Sequence, residues 1–383
     1  MLDCLVEEFW WKHIAGPSIA VSNITLALLD NKNIVLQIPS DLPWKQVMRS
    51  IVDADYREKN SAAVVQFLDV AEDNPEGIEP GKLILQRFAS PQVAQSYREK
   101  SAITIQNYIM QKGVLQNSVL WIKGVTSETA SQWISFCKVY HSKDISDGLL
   151  ILELCGQYSV PPMHHLKAIS LFNYVSNYDL QLFNRVIVSD RKISDVWKNY
   201  ISTVCALICG TDAEISTLLL DTVDFQKDDL ILKVKEIAEL EIYQKRGEEH
   251  KEYILNLARN NQINLIEHLI WEAQVQVLFP IIELERVTIL YALRKVIQNI
   301  LDTKPIQQYG VTLKDAIDVE LGTLCYMMTQ RTNDGSYLLY IPDENVRQRI
   351  HFLHTCRNLL AHASPCSPSQ VKELLNNNKY MEN

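Results

Sequence analysis

The sequence predicts an α/β region over residues 1–220, followed by an all-helical region over residues 230–383. Short apolar runs separated by helical patterns recur as far as Leu220, which indicates a mostly parallel sheet covered by helices on both faces. From Leu230 onward the apolar residues keep a helical spacing, which is typical of a helical bundle. The polar stretch Asp221–Asp229 breaks the pattern, and we therefore place the boundary between two domains there.

Composition and charge limit the kinds of protein this can be. The chain has 383 residues, 47 % of them apolar, with only 12 glycines and 13 prolines, which is typical of two or three folded domains rather than a low-complexity chain. The formal net charge of −9 disfavours a broad DNA-binding or RNA-binding surface, because such surfaces depend on summed positive charge. A small local phosphate site is compatible with this charge.

The eight cysteines are scattered, and none forms a CxxC pair. We therefore expect no zinc site and no other metal or cofactor, and we interpret the cysteines as small core residues. The sequence has no secretory signal peptide and no apolar run of the roughly 18 residues that a membrane span requires. These features predict a cytoplasmic protein that does not enter the membrane.

Five apolar runs in the first region are predicted strands, and three longer patterns between them are predicted helices. The strands are residues 33–38, 64–70, 118–122, 149–154 and 185–189. The helices are residues 91–110, 127–139 and 163–174.

The order of these pieces resembles a nucleotide-hydrolysing core of the AAA or STAND type. The resemblance implies that the loop after the first strand binds phosphate. It also implies that a later apolar strand ends in an acidic residue, here Glu153, which holds the metal and activates water, and that the next strand ends in a polar sensor, here Ser189-Asp190. The loop Pro39–Pro43 contradicts part of this, because it has no glycine and no lysine, and Asp41 would repel a phosphate. The first region is therefore interpreted as an ATPase-like domain without a phosphate loop. Glu153 is then a strand-end carboxylate rather than a catalytic base. A generic α/β domain and a working ATPase are the alternatives.

Several helices are predicted in the second region. Two amphipathic segments, residues 264–279 and 281–301, meet at Pro280, which should kink or split them. Further helices are predicted at residues 316–328, 344–362 and 368–375, with a turn at 331–336 and a strand-like run at 337–341. Gln274, Glu285 and Arg286 lie among apolar residues. They belong either to the same site as Arg357 or to the solvated face of a bundle helix.

The strongest candidate site is the sequence Arg357-Asn358-Leu359-Leu360-Ala361-His362. Arginine can hold a phosphate through two parallel hydrogen bonds, histidine can move a proton near neutral pH, and Asn358 can orient either group. The Ser364-Pro365 pair should end the preceding helix, which places His362 at or just beyond the helix end.

This stretch resembles the R-x(4–6)-H signature of the HEPN family, in the form with a polar residue directly after the arginine. The resemblance implies a small helical bundle that dimerises and brings two motifs together as a metal-free endoribonuclease, with Arg357, Asn358 and His362 as catalytic residues. An ATPase-like partner domain suggests a toxin-like effector in bacterial phage defence. The alternative is a non-catalytic adaptor in a larger defence or signalling complex. Cleavage is expected where Arg357 and His362 meet across a dimer, and the adaptor where they are buried in salt bridges within one subunit.

Overall fold

The computed structural model describes residues 5–74, 76–98, 103–333 and 335–376. The chain divides into two compact units. The first runs to Phe183 and includes the short segments Gly210–Ile215 and Lys245–His250. The second contains Asn184–Cys209, Ser216–Gln244 and the chain from Lys251 onward. The predicted domain ranges, residues 1–220 and 230–383, are not decided by this division and stay predictions.

A five-stranded parallel sheet forms the framework of the first unit. Its strands are β1 (Asn33–Ile38), β2 (Val64–Asp69), β3 (Ser118–Val125), β4 (Leu149–Cys155) and β5 (Leu166–Ser170). Their order is β2-β3-β4-β1-β5, with every neighbouring pair parallel. All of β1 is buried, as is β4 except for its last residue, so both faces of these strands are covered. The predicted parallel α/β sheet and its first four strands are confirmed.

Helices of the first unit precede, connect and follow these strands. They are α1 (Val6–His13), α2 (Ala15–Leu29), α3 (Lys45–Lys59), α4 (Val70–Asp73), α5 (Pro80–Phe88), α6 (Pro91–Ser96), α7 (Ile105–Gln111), α8 (Ser127–Val139) and the first part of α9 (Asn177–Ile187). The predicted helix at residues 127–139 matches α8. The predicted helix at 91–110 is replaced by the short helices α6 and α7, and part of it lies outside the described residues.

The predicted fifth strand is wrong. Residues 185–189 lie at the end of helix α9 and just beyond it, whereas the predicted helix at 163–174 contains strand β5 and a 3₁₀ turn at Leu171–Asn173. Leu180, Phe183 and Val188 are all fully buried at helical spacing, a pattern hidden by the β-branched run in RVIVS. Ser189-Asp190 therefore do not end a strand, and the implied polar sensor is absent from that position.

Arg49 on α3 and Glu153 on β4 form a buried ion pair. Arg49 donates through Nε to Glu153 Oε2 at 2.9 Å and through Nη2 to Oε1 at 2.6 Å. The Trp121 indole of β3 donates to the same Oε2 at 2.9 Å. Glu153 lies inside β4 rather than at its end, and the arginine compensates its charge. The prediction that Glu153 ends the strand is therefore wrong.

The residue immediately before α3 has an unusual backbone conformation. Trp44, the residue that precedes α3, has a left-handed backbone with φ of 45°. Its backbone N–H donates to the Glu214 carboxylate at 3.2 Å. The N-terminus of a helix favours an anion, and here the protein's own carboxylate occupies that position.

The second unit is mostly helical, as predicted. Its helices are the end of α9, α10 (Asp195–Cys209), α11 (Ala213–Thr222, from Ser216), α12 (Leu230–Ala238), α13 (Ile254–Arg259), α14 (Ile263–Thr303), α15 (Leu321–Thr329), α16 (Glu344–Ala361) and α17 (Pro368–Asn376). A small antiparallel hairpin joins β6 (Gln307–Gln308) to β7 (Val311–Thr312). Within the described ranges, no helix of either unit is long and apolar enough to cross a membrane.

Three predictions for this unit need correction. Helix α14 continues unbroken through Pro280 for 41 residues, so the proline does not split it. Pro280 is exposed, where water can satisfy the carbonyl that loses its helical partner. The helix predicted at 316–328 starts only at Leu321, after a 3₁₀ turn. The strand-like run at 337–341 is reduced to one bridge between Arg331 and Tyr337.

We predict that Arg49→Ala lowers the free energy of unfolding by about 3–5 kcal/mol, because it leaves Glu153 buried without a counter-charge. Arg57→Ala removes an exposed arginine from the same helix, where it pairs with Asp53 one turn away. That variant should cost less than about 1 kcal/mol. Urea denaturation measures both values. Equal costs for the two variants would mean that the buried pair does not hold α3 on the sheet.

Candidate functional site

Helix α16 presents the predicted catalytic residues at its C-terminal end. Asp343 caps the start of the helix, accepting from the Asn345 backbone at 2.8 Å. The buried positions of α16 share one face, which turns Arg357 and Asn358 toward the margin of the core, where both are half-buried. The buried positions are Ile350, Leu353, Cys356 and Leu360.

The helix ends in a Schellman motif. Ser364 donates from its backbone to the Leu359 carbonyl at 2.9 Å, and Ala363 donates to the Leu360 carbonyl at 3.4 Å. Ala363 has a φ of 57°, a left-handed conformation that glycine usually fills at this position. His362 is the C-cap residue immediately before it, as the Ser364-Pro365 signal predicted.

Two side chains of α14 fix this helix end from outside. The Trp271 indole donates to the Leu360 carbonyl at 2.6 Å. The Gln274 amide binds both backbone groups of Cys366, accepting from its N–H at 2.6 Å and donating to its carbonyl at 3.0 Å. The direction of the chain after His362 is therefore set by α14.

Arg357 forms an ion pair with Glu320, the residue that precedes α15. Its Nη2 lies 3.2 Å from Glu320 Oε2, and both side chains are about one-third exposed, at 28 % and 34 %. Tyr309, in the tight turn of the β6–β7 hairpin, donates its hydroxyl to the same oxygen at 2.8 Å. This hydrogen bond to the Glu320 carboxylate raises the pKa of the tyrosine. Glu320 thus holds a phenol and a guanidinium together.

Asn358 pairs with a histidine that the sequence analysis missed. Its amide lies 3.0 Å from His354 Nε2, one turn earlier on α16. Burial, together with the charge of Arg357 and the neighbouring His351, lowers the pKa of His354, which favours the neutral imidazole at neutral pH. The signal was present in the sequence, because residues four apart on a helix face one another. We call Tyr309, Glu320, His354, Arg357 and Asn358 the Glu320 cluster.

His362 lies outside the Glu320 cluster. Its side chain is exposed and makes no hydrogen bond with any other described residue. At about 100° per residue, five helical positions separate the directions of Arg357 and His362 by about 140°. The three predicted residues therefore share one helix end, but one subunit does not bring Arg357 and His362 into direct contact.

The polar residues of α14 do not join Arg357. Gln274 and Glu285 are 1 % and 6 % exposed, so the solvated-face interpretation is also wrong for them. Glu285 binds Arg349 of α16 through two hydrogen bonds of 2.7 and 2.8 Å. Arg286 donates to the carbonyls of Ile317 and Val319 at 3.2 and 3.0 Å, which holds the loop leading into Glu320. All three residues support the site rather than form it.

No protein-family model and no curated protein sequence matches this chain. Among the residues that the structure describes, no group of three or more His, Cys, Asp or Glu side chains could hold a metal ion.

We predict that Ala363→Gly raises the free energy of unfolding by about 1 kcal/mol, because glycine adopts the left-handed conformation without the cost an L-residue incurs. Ala361→Gly, two residues earlier and inside the helix, should instead lower it by about 0.5–1 kcal/mol. Urea denaturation compares the two variants. If both substitutions destabilise the protein equally, the Schellman geometry of this helix end is contradicted.

Proposed function

We propose that this chain is a HEPN-type, metal-independent endoribonuclease that works as a homodimer. The observation that carries the proposal is the exposure of His362 at a rigidly held helix end, with Arg357 and Asn358 half-buried in the turn before it. A histidine without an internal partner is available for proton transfer. An arginine held through a single nitrogen by Glu320 can exchange that contact for a phosphate.

A second copy of the chain completes the proposed site. Because Arg357 and His362 point about 140° apart, the arginine of one subunit acts with the histidine of the other. The RNA 2′-hydroxyl attacks the adjacent phosphate, which forms a 2′,3′-cyclic phosphate and breaks the bond between phosphorus and the 5′ oxygen. His362 accepts the proton of the 2′-hydroxyl, a proton is returned to the departing 5′ oxygen, and Arg357 stabilises negative charge on the phosphoryl oxygens. Asn358 orients the last turn of α16, which carries Arg357, through its contact with His354.

The first unit is proposed to be an ATPase-like domain that has lost nucleotide binding. Two contacts and one feature of the sequence support this. Glu214 occupies the anion position at the start of α3, and Arg49 neutralises the charge of Glu153. The loop after β1 contains Asp41 where a phosphate loop would require glycine and lysine. In this proposal the unit regulates the nuclease without hydrolysing nucleotide. The implied setting, from the HEPN and STAND resemblances, is a cytoplasmic effector of bacterial phage defence.

One observation favours a second function, that of a non-catalytic adaptor in a larger complex. Arg357 is already paired with Glu320 inside one subunit. Arg347 and Arg349 of the same helix are paired as well, with Glu344 and Glu285 respectively. If these pairs are permanent, α16 is a scaffold and the motif no longer contacts phosphate.

We predict that His362→Ala and Arg357→Ala each abolish RNA cleavage. Loss of the arginine should cost about 3 kcal/mol of transition-state stabilisation, or roughly 100-fold or more in rate. Arg357→Lys should restore little activity, since a point charge cannot replace two parallel hydrogen bonds. The assay incubates purified protein with cellular RNA and analyses the products for 2′,3′-cyclic phosphate ends. Addition of EDTA should leave the rate unchanged.

His351→Ala is the matched control, because His351 is an exposed histidine on the same helix outside the motif. It should cleave like the wild type. Equal activity of the wild type and His362→Ala would exclude the catalytic assignment. An inactive wild type, combined with lower thermal stability of both motif variants, would favour the adaptor.

We predict that Glu320→Gln increases the cleavage rate, because the neutral amide no longer competes with phosphate for Arg357. The pair is partly exposed, so its loss should change the free energy of unfolding by less than about 1 kcal/mol. Initial rates and thermal denaturation measure the two effects. Glu344→Gln, at the far end of α16, is the control and should not change the rate. A fall in rate as large as that of Arg357→Ala would instead make Glu320 a residue that positions the arginine for catalysis.

A further inference from the structure

A small cavity opens at the carboxyl edge of the sheet in the first unit. It encloses about 120 Å³ between the loop after β1, the 3₁₀ turn after β5 and the two short segments that return to this unit. Asp41, Phe172, Thr211 and His250 are among its lining residues. Ligands of parallel α/β sheets bind in the crevice beyond the carboxyl ends of the strands, which is where this cavity lies.

Asp41 brings an unsatisfied carboxylate oxygen to this cavity. The residue is only 8 % exposed, and its Oδ1 is buried with no hydrogen-bond partner among the described residues. A buried polar atom without a partner costs folding free energy, and a charged one costs more. An oxygen left in this condition beside a cavity is explained if a ligand supplies the missing donor.

The charges around Asp41 favour a positively charged ligand. Arg246 binds the Asp212 carboxylate at 2.6 and 2.8 Å and Glu214 at 3.0 Å, and it donates to the backbone carbonyl of Asp41 at 3.2 Å. Two carboxylates therefore bind one guanidinium, and the Asp41 carboxylate is a third that lies close enough to Arg246 to interact with its charge. Burial and the nearby Asp212 raise the pKa of Asp41, and the surrounding His250 and Arg246 offset this only in part.

The lining residues and the volume of the cavity further restrict which cations it can bind. The rings of Phe172 and His250 are nearly parallel, with an interplanar angle of 7° and centroids 6.3 Å apart. A planar cation can contact an aromatic face of this kind. The cavity has the volume of about four water molecules, at roughly 30 Å³ each, which is the size of a group of about four heavy atoms.

The geometry points to a binding site for a guanidinium or alkylammonium head group, with Asp41 as the charged acceptor. The ligand is an organic cation of low molecular weight. Nucleotide phosphates are disfavoured by the same carboxylates. This inference is independent of the proposed ribonuclease activity, because none of the residues involved belongs to the Glu320 cluster or to the stretch from Arg357 to His362.

The test measures binding of guanidinium chloride and methylammonium chloride at low millimolar concentration to the full chain, by calorimetry and by thermal denaturation at constant ionic strength. We expect a saturable rise in Tm for at least one cation. Urea, which has the shape of guanidinium without its charge, should give none, and neither should ATP with magnesium. The rise should be larger at pH 8 than at pH 5, because the Asp41 carboxylate is ionised more fully at the higher pH.

Asp41→Asn removes the charge while keeping the shape of the side chain. It should abolish the cation-dependent rise in Tm. Without ligand it should be more stable than the wild type at pH 8, because the raised pKa of Asp41 means that wild-type stability falls as pH rises through that pKa. Asp30→Asn changes an exposed aspartate of the same unit and should retain the response.

Phe172→Leu provides a second variant, in which the guanidinium response should weaken while Asp41 remains. Four results would each overturn the inference: no response of the wild type to either cation, an equal response of Asp41→Asn, an equal response to urea, or saturable binding of ATP that Asp41→Asn leaves unchanged.

Discussion

The paired hydrogen bonds between Gln274 and the backbone of Cys366 are the constraint on which the candidate site depends. A buried amide that binds both the N–H and the carbonyl of one residue acts like a short piece of sheet, and it fixes that residue in position and direction. Together with the Trp271 indole on the Leu360 carbonyl, it makes α14 the template for the end of α16. His362 lies between these two anchored points, so its exposure follows from the core beneath it rather than from a loose loop.

In this pair of helices, the polar residues of α14 have structural roles, whereas α16 carries the proposed catalytic residues. On α14, Gln274 and Glu285 are buried and satisfied by α16 or by the segment that follows it, and Arg286 holds the loop that carries Glu320. At the C-terminal end of α16, the side chains of Arg357 and Asn358 are half-buried and that of His362 is exposed. Polar residues on a long helix can thus be essential to a site without contacting a substrate.

The sequence predicted those parts of the molecule in which local pattern and tertiary environment agree. β1 and β4 are continuous apolar runs buried on both faces, and helix α8 has the expected period, so their limits were found almost to the residue. β5 has a half-buried edge pattern and an internal lysine, while the end of α9 carries β-branched residues, and here local propensity indicated the opposite structures. In the site, the placement of Arg357, Asn358 and His362 at a helix end was predicted. Glu320 and Tyr309 could not be, because they are 37 and 48 residues from Arg357 and only the fold brings them close.

The distribution of charge on α16 bears on the proposed cleavage of RNA by an acidic protein. Each arginine of α16 has a carboxylate partner, so this helix adds little long-range attraction for a polyanion, in keeping with the net charge of −9. Of the three pairs, the one with Glu285 is the most deeply buried, because that carboxylate is only 7 % exposed, whereas Glu320 is 34 % exposed. A phosphate can compete for Arg357 where solvent already reaches the pair, but it cannot enter the core to reach Arg349. Under the proposed function, the protein would therefore bind RNA only once the phosphate lies in the site between two subunits, and not through general electrostatic attraction to nucleic acid. Such a site would cleave only RNA that is held between the two helix ends of an assembled dimer.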